Sequence, residues 1–287
     1  MIAVYKKELK SFFQNIMGFV FIAFMLLMIG IFTIAANFAS LYPNFEYALF
    51  SSLLIFPFLI PILTMRSIAE EKRQRTEQLL FSAPVRISDI VLGKYFAMIT
   101  IILIPMLIVC TYPLIISRYG AVSFGPAYSA IIAFFLLGCA LTAIGMFVSS
   151  LTENQIVAAI ITLAVMLLLY FMKNLIQMMT SSAVISLIMF GVFAIAIAFL
   201  VYSLTHNIAV SAAVGFVLVI ALVLLYSFYP EALSSGFITV LNSISIFSRY
   251  DNFYFGILDL SSLVYFISVA ALFVFFTIQS IEKRRWN

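Results

Sequence analysis

The stretch Arg66-Ser67-Ile68-Ala69-Glu70-Glu71-Lys72-Arg73-Gln74-Arg75-Thr76-Glu77-Gln78-Leu79-Leu80-Phe81-Ser82-Ala83-Pro84-Val85-Arg86-Ile87-Ser88-Asp89, running on into Ile90-Val91-Leu92-Gly93-Lys94, decides how this chain is organised. More than a third of its 15 basic and 11 acidic residues fall in this one segment, and nearly unbroken apolar sequence lies on both sides. A chain this apolar gathers charge only where it meets water or a partner. Leu79, Leu80 and Phe81 follow the charges directly, and Pro84 ends the helical pattern because proline has no N–H to continue it. A charged helix, an apolar tip and a proline stop have the build of a docking element.

Composition sets the class. The chain is 65% apolar and 9% charged, whereas soluble domains carry about 25% charged residues. A membrane crossing needs about 20 apolar residues, and eight runs meet that need: 16–37, 47–65, 90–116, 127–149, 156–172, 184–204, 209–228 and 262–281. The expected fold is therefore an all-α polytopic membrane protein of about eight transmembrane helices, forming one domain over 1–287. Ahead of the first span, Ile2, Tyr5, Leu9, Phe12, Phe13 and Ile16 fall on one arc of a helical wheel, with Lys6, Lys7, Lys10, Ser11 and Gln14 opposite. That pattern predicts an amphipathic interfacial helix over 1–15. Near the middle, Leu151-Thr152-Glu153-Asn154-Gln155 suggests Thr152 as the N-cap of the next helix, with Gln155 at N3. Residues 229–261 form the one long connection, and its apolar piece 237–247 is too short and too interrupted to cross.

Orientation follows from the basic residues, which stay on the cytoplasmic side. With the N-terminus inside, twelve lie in inner segments (Lys6, Lys7, Lys10, Arg66, Lys72, Arg73, Arg75, Arg86, Lys94, Lys283, Arg284, Arg285) and only Arg118, Lys173 and Arg249 lie outside. Both termini and the 66–89 segment are thus expected in the cytoplasm.

The missing chemistry is as informative. There is no Gly-x-x-x-x-Gly-Lys-Ser/Thr phosphate loop, no His-Glu-x-x-His and no Gly-x-Ser-x-Gly, so no catalytic residue is expected. Cys110 and Cys139 sit inside apolar runs, and His206 has no ligand partner at metal spacing, so no metal site is expected either. Nearly all ionisable groups lie at the ends of spans or between them, and no mid-depth carboxylate of the kind that couples a secondary transporter to ions stands out. Pro57, Pro61, Pro105 and Pro113 predict kinks. Gly138, Thr142, Gly145 and Ser149 make a small-residue side suited to close helix contact. The chain lacks an energy source of its own and offers a charged cytoplasmic helix to receive one.

At these residues the sequence resembles a known family. Thr64-Met65-Arg66, Glu70-Glu71-Lys72-Arg73-Gln74, Thr76-Glu77-x-Leu79-Leu80, Ala83-Pro84-Val85 and Ile90-Val91-Leu92-Gly93-Lys94 are similar to the region after the second span of type-2 (ABC-2) ABC transporter permeases, nearest the gliding-motility-type subgroup. Further matches are Phe247-Ser248-Arg249-Tyr250-Asp251-Asn252-Phe253, Gly256-Ile257-Leu258-Asp259 and the C-terminal Glu282-Lys283-Arg284-Arg285-Trp286.

The resemblance implies a bacterial plasma-membrane export permease that pairs with a second permease copy or a paralogue and binds two cytoplasmic ABC ATPase subunits. ATP and Mg would be held by those subunits, with no cofactor in this chain. It also implies a coupling helix carried by Arg66, Glu70, Glu71, Arg73, Thr76, Glu77, Leu79, Leu80, Phe81 and Pro84, and an outer loop motif of Arg249, Asp251, Asn252, Gly256 and Asp259. Six spans are usual in the family, so the runs 184–204 and 209–228 read as an inserted pair. Two alternatives keep a place: a scaffold that passes ATPase motion to an extracytoplasmic partner through 229–261, and a secondary transporter.

Overall fold

Long Leu-, Ile- and Phe-rich runs in an apolar surrounding must satisfy every backbone N–H and C=O internally, which selects helices. The computed structural model describes residues 1–74, 86–178, 190–191, 216, 239, 241–243 and 245–286, and among them there are helices and turns but no strands. Six described helices are long and apolar enough to cross a membrane: Met17–Ala39, Phe45–Arg73, Ile87–Ile116, Phe124–Leu151, Gln155–Met172 and Leu260–Lys283. They overlap six of the eight predicted runs. The predicted pair 184–204 and 209–228, together with His206, lies outside the described residues, apart from helical positions 190–191 and 216.

The described chain divides into two compact units, one of Met1–Tyr170 with Arg249–Asn287 and one of Phe171–Ser248. In the second, positions 239 and 241–243 of the predicted 237–247 piece are helical, and Ser248 Oγ donates to Ser245 O at 2.8 Å.

The first unit opens with α1 (Ile2–Gln14) and α2 (Met17–Thr33), which widens into a π-helical turn over Ile34–Ala39. The second span is α3 (Phe45–Ser52), a 3-10 turn at Leu53–Ile55 and α4 (Phe56–Thr64), followed by the short α5 (Ala69–Arg73). Pro57 follows the 3-10 turn, and Pro113 opens α7 (Tyr112–Ile116) after α6 (Ile87–Val109) has ended. Pro61 and Pro105 stay inside α4 and α6. Next come α8 (Phe124–Leu151), α9 (Gln155–Met178), a 3-10 turn at Phe247–Tyr250, α10 (Asp251–Tyr254) and α11 (Leu260–Trp286).

Helix α8 is the central post, packed against α4, α6 and α11. Its small-residue side is where the second span sits. A Cβ on Gly138 would lie 3.1 Å from the Phe56 ring, and one on Gly145 would lie 2.5 Å from Thr64 Oγ1. Glycine is therefore required there by close approach and not by backbone freedom. The Phe56 and Phe134 rings, 4.5 Å apart, fill the space above.

The predicted amphipathic helix forms over Ile2–Gln14 and rests partly on α6. Val4 packs over Gly93 of α6, Tyr5 and Thr100 share a hydroxyl hydrogen bond of 3.0 Å, and Phe12 is buried. Ile2 and Ile16 remain exposed. The Thr152 cap is corrected. Helix α9 begins at Gln155, and Asn154 Oδ1 accepts the Ile156 N–H at 2.9 Å, which gives Asn154 the N-cap position.

Candidate functional site

The second span does not end cleanly at the charges. After Thr64 the chain makes a tight turn, with Ser67 N–H and Oγ both donating to Thr64 O at 3.0 and 2.8 Å. It then enters α5. A helix start leaves backbone N–H groups without internal partners. Here Ser149 Oγ of α8 accepts from Ile68 N at 3.4 Å and Ala69 N at 3.2 Å. The Lys72 ammonium donates to Ser150 O. The start of the charged segment is thus bolted to the end of α8.

A second anchor is electrostatic. Helix α6 begins at Ile87, so Lys94 lies two turns inside a span and its side chain is only 4% exposed. Lys94 is thus an exception to the expectation that nearly all ionisable groups sit at span ends, whereas Glu46, buried in the first turn of α3, keeps to it. A buried ammonium is costly unless paired and hydrogen-bonded. Lys94 Nζ is 2.9 Å from Glu8 Oε1 of α1 and 2.9 Å from Glu71 Oε1 of α5. Lys7 Nζ approaches the same Glu71 oxygen at 3.7 Å. One ammonium therefore ties together three segments far apart in the chain: the N-terminal helix, the segment after the second span and the base of the third.

Of the predicted coupling residues, Glu71 enters this cluster. Arg66 Nε and Glu70 Oε2 form an i,i+4 pair at 3.9 Å, and Arg73 is exposed. Thr76, Glu77, Leu79, Leu80, Phe81 and Pro84 lie outside the described residues. Glu8 was not singled out from sequence; Lys72 and Lys94 were read only as inner basic residues within the family-like motif, and Ser149 only as a small packing residue. The signal that could have found Lys94 is a lone lysine inside a helical run, which demands a carboxylate. Glu8, amid the lysines of α1, and Glu71 supply two.

The predicted outer motif sits at the other end of the bundle and is divided in its contacts. Asp259 caps α11, accepting from Ser261 N at 2.9 Å, Ser262 Oγ at 2.6 Å and Asn252 Nδ2 at 2.8 Å. The hydrogen bonds from Ser262 and Asn252 hold its carboxyl below the usual aspartate value. Gly256 takes φ +75, a left-handed turn that favours glycine and lets the chain fold back, with Ile257 N donating to Asn252 O at 2.9 Å. Arg249 goes elsewhere and lies over the Tyr265 ring at 5.1 Å. Asp251 heads α10. Between Arg249 and Asp251, Tyr250 is fully buried and donates to Ala130 O at 3.1 Å. This end is a clamp of hydrogen bonds. Among the described residues it brings no nucleophile, base and orienting group together.

A family model described as "ABC-2 family transporter protein" matches residues 37–183, just over half of the chain. The match runs from the π-helical end of the first span through Glu71, Lys94 and the whole of α8. No curated protein matches the chain.

Proposed function

The chain belongs to the ABC-2 transporter family, and from that premise we propose that it is the membrane-spanning permease subunit of an ABC exporter, driven through its 66–89 segment by a separate cytoplasmic ATPase. The observation that carries this reading is the buried Lys94 with its two glutamates. A force applied to the charged segment reaches α1, α6 and α8 together, because Glu71, Lys72 and the amides of Ile68 and Ala69 are all fastened to them. Such coupling is what moves packed helices as rigid elements between two arrangements.

In this reading Glu70, Glu71, Arg73, Thr76 and Glu77 set register on the ATPase, and Leu79, Leu80 and Phe81 anchor in a groove on its surface. The ATPase holds ATP and Mg. A second permease copy or a paralogue completes the pathway, and an extracytoplasmic accessory protein can engage the 229–261 side. The twelve-to-three bias of basic residues supports cytoplasmic termini in a bacterial plasma membrane. The runs 184–204 and 209–228 bring the total to eight spans, and on this reading the chain falls in the gliding-motility-type subgroup.

Deleting Leu79–Phe81 tests the docking. The expected result is a chain that still inserts and folds but no longer co-purifies with its ATPase. Undiminished co-purification would refute the assignment.

A further inference from the structure

At the end of the bundle away from Lys94, the first and third spans both lose regular α-helix at the same level. Helix α2 gives way to the π-turn Ile34–Ala39, and α6 stops at Val109 before restarting as α7 at Tyr112. Wide turns and breaks of this kind part neighbouring helices and recur at binding sites. Between them lies a cavity of ≈190 Å³ lined by Gly30, Thr33, Ile34, Phe38, Tyr112 and two isoleucines of α7. The lining carries no charge; the Thr33 hydroxyl is spent on Ile29 O at 2.7 Å, and the Tyr112 hydroxyl lies beside Gly30 in an otherwise apolar wall. A dry apolar cavity of about 150 Å³ already takes up benzene-sized ligands. This one opens sideways past Ile34 and Ile115, which are 61% and 50% exposed. Gly30 lies roughly 20 Å along the helix from Met17 at 1.5 Å per residue, which sets the opening in the hydrocarbon of the far leaflet.

The rim carries the opposite chemistry. Two residues beyond Ile116, the turn holds Arg118, which is exposed and has no carboxylate within ion-pair distance among the described residues. Its neighbour Tyr119 stands edge-on to Phe38 at 5.6 Å, joining the rim to the cavity wall. We propose that the cavity is a lipid site that takes one acyl chain of an anionic phospholipid from the surrounding leaflet, with Arg118 on its phosphate. Lipid tails are as apolar as the lining, so selectivity over bulk lipid comes from shape and from the guanidinium.

The test uses the purified full chain in phosphatidylcholine nanodiscs doped with phosphatidylglycerol carrying a photoactivatable diazirine on one acyl chain, with labelled residues mapped by mass spectrometry. Labelling of 30–38 and 112–116 should exceed that of the exposed, lipid-facing Leu107 and Val264 by about tenfold, equivalent to ~1.4 kcal/mol of preference. Gly30→Leu should abolish the excess, because a Cβ there meets only Tyr112 OH, at 3.9 Å, so a side chain can enter and occupy the void. Ile115→Trp, at the half-exposed mouth, should do the same without touching the core. Arg118→Gln should keep chain labelling and lose the preference for phosphatidylglycerol over phosphatidylcholine. Equal labelling of all lipid-facing surfaces, an excess that survives both filling variants, or an unchanged headgroup preference in Arg118→Gln would each overturn the proposal. None of these readouts involves the ATPase, so failure here leaves the permease reading untouched.

Discussion

Replacing Lys94 with methionine should release α1 from the bundle. The Lys94 side chain is 4% exposed, and its partners Glu8 and Glu71 are 16% and 18% exposed, each 2.9 Å from the ammonium. Methionine fits the volume but leaves two carboxylates facing one another with only the surface Lys7 nearby. Removing one partner from a buried ionic cluster costs about 3–5 kcal/mol, because the remaining charge is left uncompensated. At ~1.4 kcal/mol per tenfold, the local opening equilibrium of α1 should rise by roughly two to three and a half orders of magnitude. Hydrogen–deuterium exchange on the purified chain reads this directly. Amides of α1 should exchange faster by that factor, while those in the middle of α8 keep their protection. The triple variant Glu8→Gln, Glu71→Gln, Lys94→Met removes every charge at once, and such neutral replacements are often close to neutral in stability. Its α1 amides should return most of the way to the native rate. Unchanged exchange in Lys94→Met, or a triple variant that exchanges as fast as the single one, would refute the reasoning.

Two further outcomes follow from the packing and the outer clamp. Gly145→Leu drives a side chain into Thr64, where even a Cβ would sit 2.5 Å from the hydroxyl oxygen; overpacking of this kind costs ~1–3 kcal/mol or more, read as a lower unfolding midpoint in mixed micelles and partly recovered by adding Thr64→Ala. Asp259→Ala removes the cap on α11, worth ~0.5–2 kcal/mol. Because hydrogen bonds from Ser262 and Asn252 depress the Asp259 pKa, the native advantage over this variant should hold constant above about pH 4 and shrink only as pH falls through the depressed value. Unfolding midpoints of the two proteins across pH give the check, and an advantage that grows on acidification contradicts the clamp.

The helical architecture was legible because its signal is local. Runs of about 20 apolar residues announce themselves, and the 138–149 side of small residues pointed to a close helix contact before its partner was known. The partner proved to be the second span, with Phe56 and Thr64 against Gly138 and Gly145. Long-range polar chemistry was much less readable. Lys94 and Glu8 are 86 residues apart, and nothing in a helical wheel says that the carboxylate among the lysines of α1 is meant for a lysine inside the third span. Lys94 was counted among the inner-segment charges although the apolar run 90–116 already contains it, and the helix starts earlier still, at Ile87, which puts Lys94 two turns in. The Thr152 cap failed for a similar reason of register, since the helix begins two residues later than the capping-box pattern requires. The π-turn at Ile34–Ala39 has no sequence signature that separates it from ordinary helix.

The proposed function requires the 66–89 segment to face the cytosol and to meet a separate ATPase there. A Thr76→Cys chain probed with a membrane-impermeant maleimide tests that most directly. The account predicts no labelling in intact cells, full labelling once the membrane is opened, and protection when the ATPase is bound. Labelling of Thr76→Cys from outside intact cells would contradict it.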